Sequence, residues 1–122
     1  MQQFINLRRG RKEISRYQDM ITYKEMIDGV NNGTIEDVHF SIKGYGHYRS
    51  CHLKRVYSEY ELSDKRPFEY IELILTDDGS EYSRYYGPFQ DKEKVFHIKG
   101  KGRFTLKEVF KSVEIISITY HE

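Results

Sequence analysis

Proton transfer near neutral pH falls most readily to imidazole, and two of the five histidines stand where a strand pattern brings them together. Residues 34 to 43 alternate Val38, Phe40 and Ile42 with His39, Ser41 and Lys43, the period of a strand covered on one face. A second strand is expected from Tyr48 to Tyr57, after Gly44-Tyr45-Gly46-His47. A tight turn there sets Glu36 opposite Arg55, Asp37 opposite Lys54, Val38 opposite Leu53 and Phe40 opposite Cys51. His39 then meets His52 on the side away from Val38 and Phe40.

Two imidazoles facing each other suit either a metal or an acid–base pair. Zinc takes three or four ligands, and His47, Cys51 and His97 stand at no recognised ligand spacing, so no metal or other cofactor is expected. As acid and base, His39 and His52 would serve the 2′-hydroxyl and the leaving oxygen of RNA, with Lys54 or Arg49 steadying the phosphate. The layout of a helix followed by an antiparallel sheet is similar to that of small metal-independent ribonuclease toxins, an analogy of architecture without a shared motif. Two exposed polar residues on the solvent face of a hairpin are the plainer account of the pair. Cys51 and His52 are strand neighbours and point to opposite faces, so Cys51 reads as a small core residue against Phe40.

Positive charge gathers in two places. Arg8, Arg9, Arg11, Lys12 and Arg16 surround Gly10 with only Glu13 against them, and Lys99-Gly100-Lys101-Gly102-Arg103 forms a basic, glycine-rich loop. The loop lacks the spacing of a nucleotide-binding sequence, and a turn explains its glycines. Together the arm and the loop would make a patch for RNA or DNA, with Tyr82, Tyr85, Tyr86 and Phe89 as stacking surface. Solvated basic tails need no ligand, and alternate members of the aromatic set would be core.

The element that positions the rest is the hairpin over 67–89. Ile71, Leu73 and Leu75 alternate with more polar neighbours, Asp78-Gly79 supplies the turn, and Glu81 to Tyr86 returns. A three-residue Asp77-Asp78-Gly79 loop puts Glu72 opposite Arg84 and Ile71 opposite Tyr85. Before it, residues 58–67 form a polar surface connection.

Two helices are expected. Thr22-Tyr23-Lys24-Glu25 is a capping box ahead of Tyr23, Met26, Ile27 and Val30, with Asn31-Asn32-Gly33 as the stop. Thr105-Leu106-Lys107-Glu108 is another, ahead of a short helix over 106–112. Ile14, Tyr17 and Ile21 suggest a further short helix, and Val95 to Ile98 a short strand before a turn at Gly100-Lys101-Gly102. Glu114 to Tyr120 reads as the closing strand, with Ile116, Ile118 and Tyr120 on one side. The sum is one α+β domain over residues 1–122: an antiparallel sheet of five to six strands with one or two helices on one face.

Composition narrows the function. A chain of 122 residues buries one core, and eleven Tyr and seven Phe supply it although only 38% of residues are hydrophobic. No run spans a membrane, and a lone cysteine fits a reducing cytoplasm. A net charge of +1 leaves electrostatic recognition to local patches. Without a catalytic constellation, the expectation is a protein-binding inhibitor of a nucleic-acid-processing enzyme, of the phage anti-CRISPR or toxin-immunity kind. Acidic residues at Glu59, Glu61 and Asp64 and at the hairpin tip would imitate phosphates. The expected docking residues are Asp77, Asp78, Glu81, Tyr82, Arg84 and Tyr86.

Overall fold

The computed structural model describes residues 13–14, 21–44, 48–58, 68–75 and 81–121. In chain order they form β1 (Glu13–Ile14), α1 (Tyr23–Asn32), β2 (Ile35–Ile42), β3 (Cys51–Ser58), β4 (Phe68–Leu75) and β5 (Glu81–Tyr85). Then come β6 (Phe96–Ile98), β7 (Gly102–Phe104), α2 (Leu106–Val109) with a 3₁₀ turn at Phe110–Ser112, and β8 (Val113–Tyr120). An antiparallel six-stranded sheet runs β1-β8-β2-β3-β4-β5, and β6 pairs with β7 apart from it. The chain has the expected α+β class.

The sheet is built on the expected alternation. Val38, Leu53 and Leu73 form one row across β2, β3 and β4, and Phe40, Cys51 and Leu75 the next, all of them buried. Met26 and Val30 of α1, Leu106 and Val109 of α2, and Phe89, Phe96 and Ile98 join the same cluster. Both capping boxes are formed: Thr22 and Glu25 exchange bonds, as do Thr105 and Glu108, and Gly33 ends α1 at a φ of 90°.

Side-chain bonds fasten the helices to the loops. Asp91 accepts from the Tyr23 hydroxyl at 2.5 Å and from the backbone N–H groups of Leu106 and Lys107 at 3.0 and 2.6 Å. One carboxylate thus joins α1, the loop after β5 and the start of α2. Asn31 exchanges two bonds with the backbone of Phe89, and the Tyr48 hydroxyl bridges the N–H and C=O of His97.

Several expectations are corrected. Ile14 lies in β1 opposite Ile118, shielding part of the β8 edge, rather than opening a helix; residues 15–20 lie outside the described ones. Tyr48 to Ser50 precede β3, which begins at Cys51. Arg55 pairs with Glu69 rather than Glu36, because β2 bulges at Glu36, whose carboxylate meets Tyr57 at 3.0 Å and His121 at 2.5 Å. A second irregularity leaves Ile116 without a partner between Ser117 and Ile115. Ile115 and Ile118 are therefore buried, while Ile116 is exposed. The strand Gly102–Phe104 was hidden in the basic loop, whose glycines read only as a turn. The helix expected over 106–112 tightens to a 3₁₀ turn after Val109. The connection over 59–67 and the hairpin tip over 76–80 lie outside the described residues. Among the described residues no helix is long and apolar enough to cross a membrane.

Gly29 explains itself. A Cβ there would stand 2.5 Å from Cδ1 and 2.8 Å from Cγ1 of the buried Ile35. Although glycine-to-alanine normally strengthens a helix by about 1 kcal/mol, Gly29→Ala is expected to destabilise the fold by about 1–3 kcal/mol through overpacking. Urea denaturation checks the sign.

Alkaline pH should also weaken the fold. Burial, then a 3.1 Å bond to Glu93, push the Tyr85 hydroxyl from 10.0 up to about 12. Burial and Asp91 raise Tyr23 as well. A group holding its proton more tightly when folded gives stability that is complete below pH 10 and lost as pH climbs towards 12. Tyr85→Phe keeps the ring against Phe89 and should make that loss smaller. Denaturation at about pH 9 and about pH 11 measures the difference.

Candidate functional site

The sheet face away from the core carries three rows of side chains set by register. Ser117, His39, His52 and Ile74 occupy opposed positions across β8, β2, β3 and β4. Thr119, Asp37, Lys54, Glu72 and Arg84 occupy the next row. Val56 and Tyr70 begin a third, and the Tyr86 ring joins them 5.5 Å from that of Tyr70. The middle row alternates in sign from Asp37 to Arg84, so each charge has an opposite neighbour across the strands.

At one end of this face the His39 and His52 rings stack nearly parallel, 4.3 Å apart with 6° between their planes. His52 Nδ1 lies 3.0 and 3.1 Å from the two Asp37 carboxylate oxygens, and His39 Nε2 lies 2.9 Å from the Ser50 hydroxyl. An ionised carboxylate only accepts, so Asp37 holds the proton on Nδ1 and leaves Nε2 as the basic nitrogen of a neutral His52. That is an acid–base arrangement. It is a poor chelate, because the lone pairs lie in parallel ring planes and do not converge on one ion. Among the described residues no group of three metal-binding side chains forms.

At the other end Arg84 donates to Glu72 at 2.9 Å, and its guanidinium carbon lies 5.4 Å from the centre of the Tyr70 ring. Tyr86 is 67% exposed. Beside these aromatics a cleft of about 210 Å³ runs between the end of α1, the start of β4 and the Tyr86-Gly87-Pro88 bend. Arg55 anchors it, donating to the backbone oxygens of Val30 and Asn31 at 2.7 and 3.4 Å and to Glu69. Positive charge at the last carbonyls of α1 suits the helix dipole. Burial lowers the Arg55 pKa, but bonds to Tyr57 and Glu69 outweigh it and raise it. Its Nε is buried and takes no partner among the described residues.

The expected site residues are therefore distributed unevenly. Arg84 and Tyr86 stand together on the outward face, and the backbones of Glu81 and Tyr82 pair with Leu75 and Ile74. Asp77 and Asp78 lie outside the described residues, as do His47, Arg8, Arg9, Arg11 and Lys12. Lys99, Lys101 and Arg103 are exposed on the β6–β7 hairpin, where Arg103 faces His97. Tyr85 and Phe89 are not stacking surface: Phe89 is buried and the Tyr85 ring packs edge-on against it at 4.8 Å. Sequence reasoning missed Asp37 as the partner of His52, Ser50 as the partner of His39, and Tyr70 beside Arg84. The first was within reach, since Asp37 stands two residues from the position opposite His52, a diagonal that long side chains span.

No family model, curated protein or solved structure compared with this chain matches it. Function must be argued from the face itself. The Glu72 side chain is 13% exposed and that of Arg84 45%, so their bond is partly shielded from water. A double-mutant cycle of Glu72→Gln and Arg84→Gln should give a coupling of about 1 kcal/mol, with Arg84→Gln the costlier single change because it leaves the better-shielded Glu72 carboxylate without that partner. Urea melts of the four proteins decide it.

Proposed function

We propose that this chain is a protein-binding inhibitor of a nucleic-acid-processing enzyme, of the phage anti-CRISPR or toxin-immunity kind. The observation that carries the reading is the cluster of Tyr70, Arg84 and Tyr86 on the outward face of β4 and β5. Tyrosine and arginine are enriched in binding hot spots: tyrosine buries much area with little loss of rotamer freedom and keeps a polar end, and arginine offers a planar fork of donors. Asp77 and Asp78 stand between β4 and β5 in the sequence, and negative charge there would speed association with a cationic groove.

A tagged chain should recover one enzyme partner and suppress its activity while having none alone. With purified components, Tyr86→Ala or Arg84→Ala should weaken the complex at least about tenfold. Lys at both 77 and 78 should slow association and flatten its salt dependence. Unchanged affinity in the Tyr86 and Arg84 variants would remove this face from the interface. Binding of RNA or DNA with a steep salt slope would instead point to Lys99, Lys101 and Arg103.

The bond from Asp37 to His52 favours a second reading, a metal-independent ribonuclease. His52 would act as base through Nε2, His39 would be the complementary acid, and Lys54 on the same face would steady the phosphate. Purified protein would then cut RNA without added metal, and His52→Ala would abolish cutting. RNA left intact disposes of it.

A further inference from the structure

We infer that the outer side of the β6–β7 hairpin binds the phosphate backbone of duplex nucleic acid. Over residues 91–111 seven cations stand against three carboxylates, in a chain whose net charge is only +1. The fold brings the middle of that segment onto one surface. Phe96 and Ile98 are buried in the core, so His97 and Arg103, paired opposite each other, face away from it. The turn beyond them carries Lys99 and Lys101, both exposed. A 3.4 Å bond from Arg103 Nη1 to the Lys94 carbonyl lays the preceding loop alongside, with Lys94 also exposed. Tyr48 fastens the hairpin by bonding the His97 backbone, and a 2.9 Å bond from the Lys101 N–H to the Ile98 carbonyl closes its turn.

Charge on this surface is left unbalanced. Lys24, Lys43, Arg55 and Arg84 each have a carboxylate partner, whereas Lys94, Lys99, Lys101 and Arg103 form no ion pair among the described residues. The carboxylates of the segment are engaged elsewhere. Asp91 holds Tyr23 and the N–H groups of Leu106 and Lys107, and Glu93 accepts from the Ser83 and Tyr85 hydroxyls. Glu108 accepts from the Thr105 N–H at 2.8 Å, which with the charge of Lys94 holds its carboxyl below the ordinary range.

Among polyanions a duplex fits best. It presents one phosphate charge per about 1.7 Å of axis, twice the density of a single strand. Single strands are held largely by stacking on exposed rings. Here Phe96 is buried and Phe104, opposite it, packs against the core. The exposed large apolar side chains among the described residues are Tyr57, Tyr86 and Ile116, and none belongs to this segment. The same lack disfavours a bilayer, whose surface ligands add apolar residues that enter the headgroup layer. The surface is separate from that of Tyr70, Arg84 and Tyr86, which lies across the sheet from the core that Phe96 and Ile98 join. The inference therefore does not rest on the docking face.

Fluorescence anisotropy of the full chain with labelled DNA and RNA duplexes of mixed sequence, and with their single strands, tests this. Binding of either duplex supports the inference, and the two arms show whether DNA or RNA is the source. With four cations on phosphates, affinity should fall about a hundredfold between about 50 and about 200 mM salt. Lys99→Gln, Lys101→Gln and Arg103→Gln combined should weaken binding at least about tenfold and reduce the salt slope by about three. Lys94→Gln alone should reduce it by about one. Thermal melts confirm that these variants fold, and Lys24→Gln, on α1, should bind as the parent does. Absence of duplex binding at low salt, full affinity in the triple variant, tighter binding of single strands, or equal binding of vesicles rich in phosphatidylserine would overturn the inference. Duplex binding with no enzyme inhibited leaves it standing. Inhibition of an enzyme without duplex binding removes it and keeps the docking face.

Discussion

The register of β2, β3 and β4 is the constraint on which the rest depends. Strand side chains alternate between faces, so a slip of one residue would put His39, His52 and Glu72 among the core and bring Val38, Leu53 and Leu73 out to water. Burying a carboxylate and two imidazoles without partners would cost far more than any surface contact could return. The same alignment that closes the apolar rows also lays out the alternating charges of the opposite face. Core and candidate site are two readings of one alignment.

Polar bonds do the remaining positioning. Asp91, Asn31 and Tyr48 each bridge segments far apart in sequence, through acceptors and donors that would otherwise lie unpaired at helix ends and loops. Arg55 does the same for the last carbonyls of α1, and its pairing with Glu69 ties that helix end to the start of β4. The cleft beside Tyr86 exists because these three elements are held at that spacing.

Much of this was legible in the sequence where the signal is local. Both capping boxes, the stop at Gly33, the burial of Ile71, Leu73 and Leu75, and the opposition of Glu72 with Arg84 and of His39 with His52 follow from turn residues and period-two patterning. What failed depends on partners distant in sequence. The two irregularities between β2 and β8 skip Glu36 and Ile116 in the register and turn Ile116 out to solvent, and nothing in either strand's own pattern announces them. The strand Gly102–Phe104 is three residues long with two positive-φ glycines around its turn, too short to show alternation. The candidate site was half visible: its residue types stood out, but the bond from Asp37 to His52 and the packing of Arg84 on Tyr70 are diagonal and lateral contacts that require the assembled sheet.

The placement of β8 between β1 and β2 bears on how the molecule is made. β2 is synthesised early, yet one of its two neighbours is the final described element of the chain. Until β8 arrives, a nascent β2 presents a bare row of backbone donors and acceptors beside Val38 and Phe40, the most aggregation-prone state such a sheet passes through. Closing that gap is a long-range event, whose loop-closure entropy is lost before its contacts form. Emergence of β8 from the ribosome is thus the moment at which the core can first be sealed.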